Sequence, residues 1–107
     1  MSSNIKGSLT LLNALNSAQP RLRKAILSTG GKQLILAISE IVKNVLLGNV
    51  KLTSQDIKKL GRYKKVLRTL ATRKPKLAHR RRLLVQHGGF LPTLIGPALS
   101  ILASLLL

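Results

Sequence analysis

Lys32-Gln33-Leu34-Ile35-Leu36-Ala37-Ile38-Ser39-Glu40-Ile41-Val42-Lys43-Asn44-Val45-Leu46-Leu47 decides the fold class of this chain. Leu34, Ile35, Ile38, Ile41, Val42, Val45 and Leu46 recur at three- and four-residue spacing, the period that brings side chains onto one face of an α-helix. So broad an apolar face needs other elements to cover it. Gly48 stops the helix. On the N-terminal side, Thr29-Gly30-Gly31 closes an earlier segment, as glycine does after a helix. That segment opens at Pro20, a residue tolerated in a first turn because its missing N–H has no helical partner there. Before it, Leu9, Leu11, Leu12, Ala14 and Leu15 predict a short helix over Ser8 to Ser17, broken by Ser17-Ala18-Gln19-Pro20.

On the C-terminal side, Thr53 and Asp56 have the spacing of a capping box, with Asp in place of the usual Glu. Behind it Ile57, Leu60, Leu67 and Leu70 share a predicted face, while Lys58, Lys59, Arg62, Lys65 and Arg68 point elsewhere. Gly61 weakens this helix without ending it. Thr72-Arg73-Lys74-Pro75 reads as a hinge. Lys76 to Gln86 reads as a last basic helix, with Leu77, Leu84 and the stem of Arg81 on its inner side. No strand pattern persists. The expectation is an all-α fold: a small bundle of three or four short helices, with a basic C-terminal helix and an apolar C-terminal tail. Three stretches divide it: an apolar helical half at 1–50, a basic helical region at 51–89 and an uncharged tail at 90–107. A chain of 107 residues is at most one small domain, and so short a chain buries little surface.

Charge then speaks about partners rather than fold. Nineteen Lys and Arg face two acids, Glu40 and Asp56, for a formal charge of +17. Thirteen of the 19 lie between Lys51 and Arg82. Arg73-Lys74-Pro75-Lys76 and Arg80-Arg81-Arg82 form two basic clusters of the kind that serve nuclear import or nucleic-acid binding. The cations assigned to phosphate are Lys58, Lys59, Arg62, Lys64, Lys65, Arg68, Arg73, Lys74, Lys76, Arg80, Arg81 and Arg82. Tyr63 and Phe90 are the only aromatics, so the stacking platform usual in single-strand binders is missing. With no helix rich in Asn and Gln to read bases, the expected partner is nucleic acid, chiefly double-stranded DNA, bound without sequence preference. A chain this basic also adheres to DNA in a test tube whatever its role, so bare binding proves little.

Every Lys and Arg lies at or before Arg82, and Phe90 to Leu107 carries no charge. As a continuous helix those residues would span roughly 27 Å, just short of a hydrocarbon core of about 30 Å. Pro92 and Pro97 interrupt its first half, so uninterrupted helix is expected only from Pro97 onward. Three readings stay open: the tail contacts a membrane or a partner, it completes the core of the basic body, or it is removed. Phe90, Leu94, Ile95, Leu99, Ile101, Leu102, Leu105 and Leu106 would make the membrane or partner contact. Gly96, Ser100 and Ser104 form a small-residue stripe, in a short apolar helix more often a feature of plain packing than of helix pairing; a homo-oligomer stays open. The N-terminal Met1-Ser2-Ser3-Asn4-Ile5-Lys6 does not read as a signal peptide, which points to synthesis in the cytosol.

Between body and tail stands Gln86-His87-Gly88-Gly89. Together with Leu52-Thr53, Gln55, Lys58-Lys59-Leu60, Arg62-Tyr63-Lys64-Lys65-Val66-Leu67-Arg68 and Leu83-Leu84-Val85 through Pro92, it resembles the adenovirus core protein X (mu) precursor family. The likeness extends to its small homologues in Maverick/Polinton elements and adintoviruses. It covers the second half of the chain well and the first half loosely. It implies a virion and host-nuclear location, a capsid protein as a further partner, and cutting by an adenovirus-type protease. Such a protease cleaves after Gly-Gly preceded two residues earlier by Met, Ile, Leu, Asn or Gln. Gln86, Gly88, Gly89 and Phe90 match that pattern; Ser28-Thr29-Gly30-Gly31 does not. Read as chemistry alone, the glycine pair serves equally as a turn or cap. The chain departs from the family in mixing Lys with Arg and in its well-patterned Lys32 to Leu47, which suits a folded adaptor between genome and capsid or membrane. The alternative location is a host membrane, with residues 90–107 as the anchor.

Catalysis needs a constellation that is missing here. Glu40 and Asp56 fall on different predicted helices with no further carboxylate to pair. His79 and His87 lack Cys partners and metal-ligand spacing, and the absence of Cys removes disulfides. Gly30-Gly31-Lys32 opens a helix as a phosphate loop does, yet Ile26 stands where the first glycine would be required. No enzyme, metal or cofactor is expected.

Overall fold

The computed structural model describes the backbone of residues 3–106 and the side-chain surroundings of residues 3–101. In chain order it contains α1 (Ser3–Gly7), α2 (Leu9–Ser17), α3 (Pro20–Thr29), α4 (Lys32–Leu46), α5 (Ser54–Leu60), α6 (Lys64–Ala71), α7 (Leu77–His87) and α8 (Leu91–Leu106). Single 3₁₀ turns at Gly61–Tyr63 and Gly88–Phe90 join α5 to α6 and α7 to α8. The all-helical bundle is as expected. Its segments outnumber the three or four foreseen: α1 precedes the first expected helix, Gly61 divides the helix expected after Thr53, and the tail is helical from Leu91.

α4 is the central element. Leu34, Ile35, Ala37, Ile38, Ser39, Ile41 and Val42 are all buried, and α1, α6, α7 and α8 pack around it. Buried Ser39 is satisfied locally, its Oγ donating to the Ile35 carbonyl at 3.0 Å. The helix stops where Gly48 adopts φ +81°, a conformation costly to any residue with a Cβ. Gly48 N donates to Val45 O and Asn49 N to Asn44 O, the paired bonds of a Schellman ending. Val45 and Leu46 were expected on the buried face, but Val45 is half-buried and Leu46 exposed; the last turn of α4 runs past the helices that cover its middle.

Two smaller expectations about α5 resolve differently. The capping box is present in full, with Asp56 N donating to Thr53 Oγ1 and Thr53 N to Asp56 Oδ2. Ile57, however, is 61% exposed, while Leu60, Leu67 and Leu70 are buried. The 3₁₀ turn at Gly61 breaks the phase of the predicted helix, and α5 meets the body against α8 near its C-terminal end. Leu60 reaches the core; Ile57, a turn earlier, does not.

The tail belongs to the fold. α8 packs chiefly on α2, with α4 and α5 beside it, and Phe90, Leu91, Leu94, Ile95 and Ala98 lie in the one core shared with α1 to α7. Helix begins at Leu91 rather than at Pro97 and continues through Pro97. Pro92 sits in the first turn, where its fixed φ is harmless. Pro97 leaves the Thr93 carbonyl without a helical donor, a cost of about 3 kcal/mol. Burying Leu91, Leu94 and Ile95 returns about 2 kcal/mol each, so packing wins. The radius of gyration of 12.6 Å matches the roughly 13 Å of a packed chain this long. Among the described residues, no single helix is long and apolar enough to cross a membrane; α3 and α4 reach the length only jointly, bent by 116°.

Candidate nucleic-acid interface

The predicted cationic residues separate into two groups. Lys58, Lys59, Arg62, Lys64, Lys65, Arg68, Arg73, Lys74, Lys76 and Arg82 are all exposed. Arg80 and Arg81 are not available in the same way. Arg80 is only 9% exposed; its Nε donates to Pro75 O at 3.1 Å and its Nη2 to Thr72 O at 2.7 Å. Arg81 Nη1 donates to Leu27 O at 2.8 Å and also to Gly30 O. The Thr72, Leu27 and Gly30 carbonyls lie at the C-terminal ends of α6 and α3, where helical donors run out and the dipole favours a cation; Pro75 lies in the connection from α6 to α7. The assignment of Arg80 and Arg81 to phosphate is therefore corrected: their guanidinium groups hold helix ends together inside the protein. The sequence reading had Arg81's stem facing inward but not its charged head.

The exposed cations follow a repeated spacing. Lys58-Lys59-Leu60-Gly61-Arg62 and Lys64-Lys65-Val66-Leu67-Arg68 repeat one pattern, Lys-Lys-x-x-Arg. In α6 the spacing of three and four sets Arg68 beside its two Lys, while Arg62 follows Lys58 and Lys59 in the 3₁₀ turn. The leucine between them faces inward: Leu60 and Leu67 are buried. One pattern thus anchors each helix and presents three charges to solvent.

The first of these triads borders a groove of about 830 Å³. Lys58, Lys59 and Arg62 line one side with Gln55 and Tyr63; Gly89, Phe90 and Thr93 line the other. No carboxylate lines it. Tyr63 and Phe90 meet within the wall, ring centroids 5.2 Å apart and planes tilted by 56°. Gln55, Tyr63 and Thr93 were not foreseen as site residues, because only the meeting of α5 with the start of α8 brings them together. A second, smaller cavity of about 370 Å³ gathers Lys43, Arg73 and Arg80 with Glu40, which accepts a 3.0 Å hydrogen bond from Asn4 Nδ2. Asp56, the other acid, is held in its capping box.

The predicted processing segment has a definite geometry. Gln86 and His87 are exposed at the end of α7, and Gly88–Phe90 forms a tight 3₁₀ turn rather than an extended linker. Gly88 and Phe90 are buried. A Cβ on Gly88 would lie 3.3 Å from Leu27 Cδ1, and one on Gly89 would lie 2.9 Å from Tyr63 Oη. Both glycines allow close approach of the chain to its own body. A protease cleft that binds extended chain would meet this turn only after α8 leaves its place.

Of the residues proposed for membrane or partner contact, Phe90, Leu94 and Ile95 are buried inside the protein, and Leu99 and Ile101 are half-buried. Leu102, Leu105 and Leu106 lie outside the residues whose side chains are described. His79 and His87 are exposed and apart from the groove, and no group of His, Cys, Asp and Glu suited to a metal occurs among the described residues. No protein-family model, curated protein or solved structure matches the chain.

Proposed function

We propose that this chain binds the phosphate backbone of nucleic acid, without reading base sequence, through the outer sides of α5, α6 and α7. One observation carries the reading: ten exposed Lys and Arg stand on these helices and their connections, with Asp56 the sole carboxylate between Lys51 and Arg82. Such a field attracts any dense row of phosphates. Discrimination between bases requires side chains fitted to base edges in a groove, and exposed lysines on short helices offer none. The likeness of the basic half to the adenovirus core protein X (mu) precursor family extends the proposal to packaging a genome within a virion core, with the rigid bundle as adaptor. Processing after Gly89 belongs to that likeness; it would require α8 to be unseated first.

Burial of Phe90, Leu91, Leu94, Ile95 and Ala98 in the core favours this reading over anchorage through the first half of the C-terminal helix. The test is binding of the full chain to two duplexes of equal length and unrelated sequence across a salt series. Equal affinities are expected, falling with a log–log slope of about 0.9 per phosphate neutralised. A strong preference for one duplex, or a slope near zero, would overturn the proposal.

A further inference from the structure

The groove between α5 and the start of α8 differs in kind from the rest of the cationic surface. Lys64, Lys65 and Arg68 stand exposed along α6 and do not line the groove. Lys58, Lys59 and Arg62 instead border a concavity whose opposite wall is the turn at Gly89 and the first residues of α8. A cleft lined by one sign of charge, with apolar walls such as the Tyr63–Phe90 pair, focuses the field and strengthens attraction for a matching ion. Its volume of about 830 Å³ falls within the usual range of ligand pockets. Hydrogen-bonding groups are present as well as charge: the hydroxyls of Tyr63 and Thr93 and the amide of Gln55. Glycine at position 89 lets the Tyr63 hydroxyl sit against the turn, since a Cβ there would lie 2.9 Å from Tyr63 Oη.

We infer that this groove is a discrete, saturable seat for a short run of phosphodiesters, one per chain, and that it fixes the nucleic-acid backbone while the cations of α6 and α7 act as a diffuse field. Arg62 supplies the planar fork that can bond two oxygens of one phosphate, and Lys58 and Lys59 act as point charges on its neighbours. The inference rests on the phosphate-binding reading above and gives it a location. Because the seat joins α5 to the start of α8, its occupancy also ties the C-terminal helix to the body.

The chain carries its own reporter. Tyr63 is the only tyrosine and there is no tryptophan, so intrinsic fluorescence reads this groove alone. Inorganic tripolyphosphate, which does not absorb where tyrosine does, is the probe. Titrated into the full chain at constant ionic strength, it should change Tyr63 fluorescence to saturation at one equivalent. Replacing Lys58, Lys59 and Arg62 together by Gln should weaken it about tenfold or more, as loss of charge-assisted bonds requires. The matched change of Lys64, Lys65 and Arg68 to Gln removes the same charge outside the groove and should cost no more than about twofold, the screened long-range part. All six side chains are exposed, so helicity by circular dichroism should be unchanged in both variants. Calorimetric titration of tripolyphosphate into protein already holding a DNA duplex should show the site occupied.

Equal losses in the two triple variants, or a Tyr63 signal that never saturates, would overturn the seat even if duplex binding with a full salt slope persisted. Tripolyphosphate binding unaffected by bound duplex would make the groove a seat for free polyphosphate and overturn its assignment to nucleic acid. Failure of the unmodified chain to bind duplex at any salt would instead remove the function proposed above.

Discussion

Arg80, Arg81 and Arg82 are three identical residues with different work to do. Arg82 is exposed, while Arg80 and Arg81 donate to carbonyls at helix ends. A run of arginines carries no mark in the sequence to tell them apart; the difference arises because α7 sets Arg81 against the end of α3 and Arg80 against its own connection from α6. Changing Arg81 to Gln leaves the Leu27 and Gly30 carbonyls without their donor and should cost about 2–3 kcal/mol of stability, read by urea unfolding. Lys at 81 should not restore it, since an ammonium lacks the spread of a guanidinium. Arg82→Gln should leave the urea midpoint in place and lower the salt slope of duplex binding by about 0.9. Position 89 gives a second test at this scale. Gly89→Ala would press a Cβ to 2.9 Å from Tyr63 Oη and should cost about 1 kcal/mol by overpacking. In a Tyr63→Phe background the nearest ring atom stands 3.8 Å away, and most of that cost should vanish. A penalty unchanged by the loss of the hydroxyl would show that the clash lies elsewhere.

Among the elements, those whose ends are set by local chemistry were legible in the sequence. Pro20 opens α3, Gly48 ends α4, and Thr53 with Asp56 caps α5. Each depends on a few neighbouring residues, so the chain alone reveals it. α8 was not legible in the same way. Hydropathy describes an apolar helix equally well for lipid or core, and two prolines argue for interruption; only the partner surface on α2 and α4 decides. Ile57 shows the converse, an apolar residue in phase with a buried face that falls outside the body. Through Leu91, Leu94, Ile95 and Ala98, α8 shares the core of the protein. Leu94 is fully buried, and Leu94→Ala should destabilise the whole bundle by about 3 kcal/mol in a single cooperative transition. A change below about 0.5 kcal/mol, the level of ordinary surface substitutions, would mean that α8 does not share the core.

For the whole molecule, a charge of +17 on 107 residues sets the terms. The fold gathers one buried apolar core around α4 and leaves nearly all cations outside, where they repel one another until a polyanion or salt neutralises them. That distribution was foreseeable from composition. The groove at Tyr63 was not, because its two walls lie about thirty residues apart in sequence and meet only through the packing of α8 on α5. In the proposed binding mode, outward cations, and not the two arginines bonded inside, hold phosphate. The most direct measurement is the salt dependence of duplex affinity for the full chain with Lys64, Lys65 and Arg68 changed to Gln. With helicity intact, the slope should fall by up to about 0.9 for each cation removed from a phosphate. A slope and affinity equal to those of the unmodified chain would contradict the account.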